Sequence, residues 1–163
     1  MTSEEKTKSL DKIIRIAEKA RSEGKKIVTT NGSFDIFHFG HVKMLEESKK
    51  QGDVLIVGVN SDQSVREYKN KPGRPINPEN ARAGVVAAVE AVDFVFLFDE
   101  TTPNRWIEIL KPDVHCNSGE YGHPEEWVEY GSAAKNGGRC HAVERDNDGL
   151  STTEIVEKIK EYC

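Results

Sequence analysis

Ile27-Val28-Thr29-Thr30-Asn31-Gly32-Ser33-Phe34-Asp35-Ile36-Phe37-His38-Phe39-Gly40-His41 is the stretch from which the rest of the chain is read. It opens as a short strand, Ile27 to Thr30, turns through a glycine-containing segment, and passes into a helical pattern from about Gly40 to Gln51. Two histidines three residues apart flank Gly40 where the strand gives way to the helix. Gly40 lets a backbone approach a ligand closely. The helix start offers unpaired N–H groups and the positive end of the dipole. Imidazoles placed there can donate hydrogen bonds to a phosphate whose charge grows in a transition state, with no acid, base or covalent nucleophile required. The same pair also reads as capping or half-buried histidines. A metal pair is a third reading, but it lacks a third ligand, the nearest other histidine being His115.

Outward from this stretch, strand and helix patterns alternate. Upstream, Leu10, Ile13, Ile14 and Ala17 recur at helical spacing between about Ser9 and Glu23, and Gly24 stops that helix. Residues 1–24 are thus expected as a helical extension, packed on a partner or on the chain's own sheet. Downstream, Val54 to Val59 is a continuous apolar run that fits a strand buried on both faces. Asn60-Ser61-Asp62 opens a helix with good capping residues. Lys69 to Pro78 carries three prolines and a glycine and reads as a loop. Asn77-Pro78 then starts a helix reaching about Val92. Phe94 to Phe98, Val114 to Cys116 and Arg139 to Val143 are further strands. Thr102-Pro103, His123-Pro124 and Ser151 begin helices. The alternation predicts one α/β domain over residues 1–163, a Rossmann-like, doubly wound parallel sheet of five strands with helices on both faces. Such a sheet binds ligands outside the carboxyl ends of its strands, at the switch point in strand order.

Composition bounds the function. The chain has 163 residues and a formal charge of −5, which argues against a general nucleic-acid coat, since that needs a basic stripe. Cys116, Cys140 and Cys163 are far apart and form no CxxC pair, so free thiols in a reducing cytoplasm are expected. The first eight residues carry four charges with no apolar segment behind them, so no signal peptide is expected. The most apolar stretch, Gly84 to Phe98, is too short and too charged to span a membrane.

Three further signals lie at expected strand ends or helix starts. Asp148-Gly149-Leu150-Ser151-Thr152-Thr153 opens the last helix and offers hydroxyls and free N–H groups to an anion. Ser151 with Glu154 also fits a capping box that needs no ligand, and the two readings coexist if Thr152 and Thr153 face a phosphate. Lys69-Asn70-Lys71-Pro72-Gly73-Arg74-Pro75 gathers three cations on one loop of an acidic chain, either solvated or clamping an α-phosphate. Arg82 shares a helix face with Val86 and Val89, and so either snorkels or points into a site. A zinc site built from His115, Cys116, His123, Cys140 and His141 matches no standard spacing.

His38-Phe39-Gly40-His41, with Gly32, Phe34 and Asp35, resembles the HxGH motif of the cytidylyltransferase-like nucleotidyltransferases. Gly149-Leu150-Ser151-Thr152-Thr153 is similar to that family's Ser/Thr-rich second motif. The resemblance runs from about Ile27 to Lys160. It is nearer to adenylyltransferases acting on heptose 1-phosphate, through Leu55 to Asp62, Pro72 to Pro78 and Phe98 to Pro103, and more distant to glycerol-3-phosphate cytidylyltransferases. It implies an NTP bound with Mg²⁺, attack by a phosphate oxygen of a phosphorylated sugar or polyol on the α-phosphorus, and loss of pyrophosphate. ATP with a sugar 1-phosphate leads, and CTP with a polyol or sugar phosphate is the alternative; a non-catalytic nucleotide-binding module is a third reading, against which the intact histidine pair and both phosphate motifs argue. By the same resemblance His38, His41 and Lys71 are catalytic. Gly32, Ser33, Phe34, Gly40, Arg74, Arg82, Gly119, Ser151, Thr152 and Thr153 hold the nucleotide. Asp35, Asn117, Glu120 and Tyr121 face the acceptor. A homodimer is plausible by resemblance, and neither nucleic acid nor membrane is expected as a partner. One departure is visible: heptose enzymes usually read Lys-Gly-Gly-Asp-Tyr where this chain has Asn117-Ser118-Gly119-Glu120-Tyr121.

Overall fold

Strand and helix alternate from residue 27 onward, as the periodicity predicts. The computed structural model describes residues 1–144 and 151–162. In chain order the elements are α1 (Ser3–Lys6), α2 (Leu10–Ser22), β1 (Ile27–Gly32), α3 (Phe39–Lys49), β2 (Val54–Asn60), α4 (Asp62–Lys69) and α5 (Glu79–Ala88). They continue through β3 (Phe94–Phe98), α6 (Asn104–Leu110), β4 (Val114–Ser118), α7 (Tyr130–Ala134), β5 (Arg139–Val143) and α8 (Thr152–Tyr162). The strands pair in parallel in the order β3-β2-β1-β4-β5.

β2 shows why the sheet needs two covers. All seven of its residues are buried, and successive side chains point to opposite faces. Leu55, Val57 and Val59 join one core with Leu45 of α3 and Ala83, Val86 and Ala87 of α5. Val54 and Ile56 join a second core with Ile13, Ala17 and Ala20 of α2, Trp106, Ile107 and Leu110 of α6, and Ala133 of α7. Full burial of each Val, Leu or Ile is worth about 1.5–3 kcal/mol, so the alternation alone fixes which face each strand residue takes. Gly58 carries no side chain because Trp106 lies over it: an added Cβ would sit 3.1 Å from the indole. α2 is therefore a layer of the fold, packed on the chain's own sheet.

The switch point lies between β1 and β4. β1 pairs with β2 along six residues, but with β4 only at Val28↔Val114 and Thr29↔His115. Beyond Thr29 the two strands are no longer registered, and a crevice opens at Asn31, Gly32 and Asn117. Several boundaries differ from the sequence reading. The helix after Pro78 stops at Ala88, with Val89 already extended. The segment after His123 makes only a short 3₁₀ turn, Pro124–Glu126, before α7. No described helix is long and apolar enough to cross a membrane.

Candidate active site

The turn after β1 is built around a strained aromatic. Phe34 has a left-handed backbone, φ 48°, yet its side chain is buried. Such a residue persists only where its surroundings hold it, and such strain gathers at functional sites. Gly32 makes the room, since a Cβ there would stand 3.2 Å from the Phe34 ring. The Phe34 ring meets His41 edge-on at 5.4 Å, Phe37 stacks on His41 at 5.3 Å, and the two imidazoles lie 4.0 Å apart between centroids. The His38 backbone N–H donates to His41 Nδ1 at 3.3 Å. With Nδ1 accepting, the proton of the neutral His41 ring sits on Nε2.

α8 brings a second helix start to the same place. The Ser151 hydroxyl accepts from the Glu154 N–H at 3.2 Å, and the Glu154 carboxylate accepts from the Ser151 N–H at 2.7 Å. Ser151 is thus a capping residue, and Ser151, Thr152 and Thr153 also line the cleft that the histidines face. Asp148, Gly149 and Leu150, the head of that motif, lie outside the described residues, as does Cys163. The cleft has a volume of about 310 Å³, within the range of small-ligand sites. It also brings together Gly32, Ser33, Phe34, Asp35, His38, Gly40, His41, Asn117, Glu120 and Tyr121.

The remaining candidates stand elsewhere. Asp35 touches the cleft, but its carboxylate accepts from the N–H groups of Ile76 and Asn77 at 2.8 Å each and pairs with Arg74 at 2.8 Å. It orients the turn and the loop that returns from α4. Arg74 is spent on that pair and Lys71 is exposed; neither lines the cleft. Arg82 is fully buried: its guanidinium donates to Asn77 O at 2.9 Å, to Asp62 at 2.7 Å and to the carbonyl of Ser33. It binds the walls of the site together from behind. Gly119 starts a 3₁₀ turn where a Cβ would press on the Val143 carbonyl at 3.3 Å.

Of the three cations in the Lys69–Pro75 stretch, the one that reaches the cleft is Lys69, whose Nζ donates to Ser33 Oγ at 3.0 Å. Burial first, then the nearby Arg74 guanidinium, hold its ammonium below the usual lysine range. The sequence reading places Lys69 in the loop; in the structure it ends α4 and so is held by a helix, whereas Lys71 rides the loop. Lys43, Tyr68 and Glu144 also line the cleft and had no motif to mark them. His115 is fully buried with Nδ1 2.8 Å from Thr29 Oγ1, and burial pushes its pKa down to about 3. Burial likewise pushes the Cys116 and Cys140 thiols up to about 12 and about 11. Among the described residues no group of three or more His, Cys, Asp or Glu is placed to hold a metal ion.

A parallel sheet split at its switch point, with two helix starts and a histidine pair on one cleft, defines an α/β domain whose cleft attracts anions. The match to known families is specific. Residues 29–158 match the cytidylyltransferase-like family, and the chain belongs to it. It is 47% identical over 157 residues to the bifunctional protein HldE of Geobacter metallireducens, covering 96% of this chain and 31% of that protein. It is 48% identical over 141 residues to the HldE of Hahella chejuensis, covering 86% of this chain and 29% of the relative. The chain thus spans about a third of the length of these relatives. Among solved structures, a lipopolysaccharide core biosynthesis protein from Thermoplasma volcanium superposes with a TM-score of 0.61 at 31% identity, covering 76% of this chain and 98% of that one. A pantoate-beta-alanine ligase from Francisella tularensis, at TM-score 0.57 and 14% identity, shares the fold.

Proposed function

We propose that this domain transfers a nucleoside monophosphate, with ATP as the lead donor, to the phosphate of a sugar 1-phosphate such as heptose 1-phosphate. The observation that carries the reading is the convergence of His38, His41 and the α8 start on one cleft at the sheet's switch point. A phosphate oxygen of the acceptor attacks the α-phosphorus. The new P–O bond forms as the bond to the β-phosphate oxygen breaks, and pyrophosphate leaves with that electron pair. The product is a nucleoside-diphosphate sugar. His41 Nε2–H and the His38 imidazole donate to the oxygens on which charge accumulates, Lys69 adds an ammonium, and Ser151 to Thr153 hold the outer phosphates. Positioning and electrostatics carry the rate, as in other phosphoryl chemistry.

Mg²⁺ enters with the nucleotide in this reading. It is typically held by one or two carboxylates together with substrate phosphates. Asp35 is committed to Arg74 and two backbone N–H groups; Glu120 and Glu144 are the other carboxylates that line the cleft and would hold the ion. Held there, the ion would offset phosphate charge.

Pyrophosphate release from ATP, CTP, GTP and UTP against a panel of sugar 1-phosphates and polyol phosphates tests the reading. Turnover is expected with ATP and a sugar 1-phosphate. Turnover confined to CTP with a polyol phosphate would make the chain a cytidylyltransferase. Tight nucleotide binding without turnover on any pair overturns the enzyme reading.

A further inference from the structure

A second cleft, of about 360 Å³, opens beside the first at the carboxyl edge of the sheet. Asn31, Gly32, Tyr68, Asn117 and Tyr121 line both, so one ligand can span them. Their chemistry is opposite. The first cleft holds the histidine pair, Lys43 and Lys69. The second has no lysine, arginine or histidine among its described lining residues and carries the carboxylates of Glu126 and Glu129 instead. Anions belong in the first and are repelled from the second.

Glu129 is the unusual group. It is only 7% exposed, and among the described residues its carboxylate hydrogen-bonds only to its own backbone N–H. A buried carboxylate normally has a partner, because leaving it dry and unpaired is costly. Burial holds its carboxyl above the usual range. Asn31 Oδ1, on the rim shared with the first cleft, is likewise buried without a hydrogen-bond partner among the described residues. Asn31 Oδ1 lacks a donor, and the Glu129 carboxylate has only the one from its own backbone, so both can accept from a ligand. The same cleft is lined by Trp127, whose indole N–H donates to the carbonyl of Tyr121 at 3.1 Å and so fixes that wall, and by Tyr121 itself. Acceptors with flat apolar faces, and no cation, suit a neutral body rich in hydroxyl groups.

We infer that the second cleft holds the hydroxylated body of the acceptor, with Glu129 and Asn31 accepting hydrogen bonds from its hydroxyl groups while its phosphate reaches the histidines of the first cleft. This rests on the reading of nucleotidyl transfer to a sugar phosphate, and it assigns the part of that substrate which the motifs leave open. Glu129 is then a specificity residue, since a site built to bond a substrate hydroxyl rejects analogues lacking it.

The test is Glu129→Gln assayed for pyrophosphate release with ATP and the preferred sugar 1-phosphate. KM for the sugar 1-phosphate is expected to rise about tenfold or more, as for loss of a charge-assisted hydrogen bond, with KM for ATP unchanged. Sugar 1-phosphates lacking single hydroxyls identify the bonded group, because one of them should lose its penalty in the variant. If Glu129→Gln does not fold, saturation-transfer NMR of the wild-type chain with the sugar 1-phosphate and a non-hydrolysable ATP analogue replaces it. Sugar ring protons should then saturate strongly. Turnover in the wild type with an unchanged acceptor KM in Glu129→Gln, or with no ring saturation, overturns this assignment alone. Absence of turnover with every sugar phosphate overturns the reading of function beneath it.

Discussion

The two clefts at the carboxyl edge of the sheet are neighbours with different origins. The first is assembled from helix starts: α3 and α8 present it with N–H groups, hydroxyls and imidazoles. The second is assembled from strand ends, the loop after β3 and the short turns before α7. Helix starts impose a fixed chemistry, since unpaired N–H groups attract anions in any fold. Turns impose none, so what they bind depends on the side chains they carry. In the proposed function the first cleft carries the chemistry, and the second is where one member of the family can differ from another.

That contrast is broken most directly at His41. His41→Ala is expected to lower kcat by about 10²–10³-fold with little change in stability, measured by pyrophosphate release and thermal melting. A near-normal rate would reduce the histidines to packing. Lys69→Ala comes next, with an expected loss of about tenfold to a hundredfold in kcat/KM for the nucleotide. Lys71→Ala, on an exposed side chain, should stay within about threefold. The reverse order would restore Lys71 as the working cation. A triphosphate beside Lys69 also raises its depressed pKa, so nucleotide binding at alkaline pH should take up protons. Calorimetry in buffers of differing ionisation enthalpy detects this, and Lys69→Ala should abolish it.

Buried in the sheet beside Thr29 and Trp106, His115 predicts an acid limb in stability. Its folded pKa of about 3 lies below the ordinary histidine value of 6.5, so the unfolded chain takes up the proton first. The stabilisation is therefore present above about pH 6.5 and is lost toward pH 3, by about 1.4 kcal/mol per pH unit. His141, held down by its partial burial and by Arg139, adds a smaller share. Urea denaturation at successive pH values should show His115→Asn with a flatter limb. The smallest effect is expected at Glu129. Its raised folded pKa means that whatever stability it lends is present below the unfolded carboxyl range and is lost as pH rises through the folded value. Glu129→Gln should melt slightly higher than wild type at neutral pH and no higher near pH 4. A variant that gains stability while losing acceptor affinity separates a binding role from a structural one.

The sheet was legible because β2 and the strand before the histidines announce themselves by apolar runs and a glycine turn. The helix starts were legible because capping residues and phosphate-binding residues are the same small polar types. Arg82 and Asp35 were harder. Their residue types fit a substrate contact, and only the return of the loop after α4 shows that Asn77, Asp62, Ile76 and Arg74 already occupy them. Glu129 had no signal at all, because it sits between a 3₁₀ turn and a five-residue helix with no period to read, and its meaning comes from burial.

Asp35 has one more consequence. The histidine turn and the Arg74–Asn77 segment share a single carboxylate, and Arg82 ties both to α4 from behind. Swinging that segment outward would strip two amides and a guanidinium from Asp35 and loosen the turn that aims His41. The segment therefore behaves as a wall, not a door. A ligand would then reach the cleft past other parts of the rim.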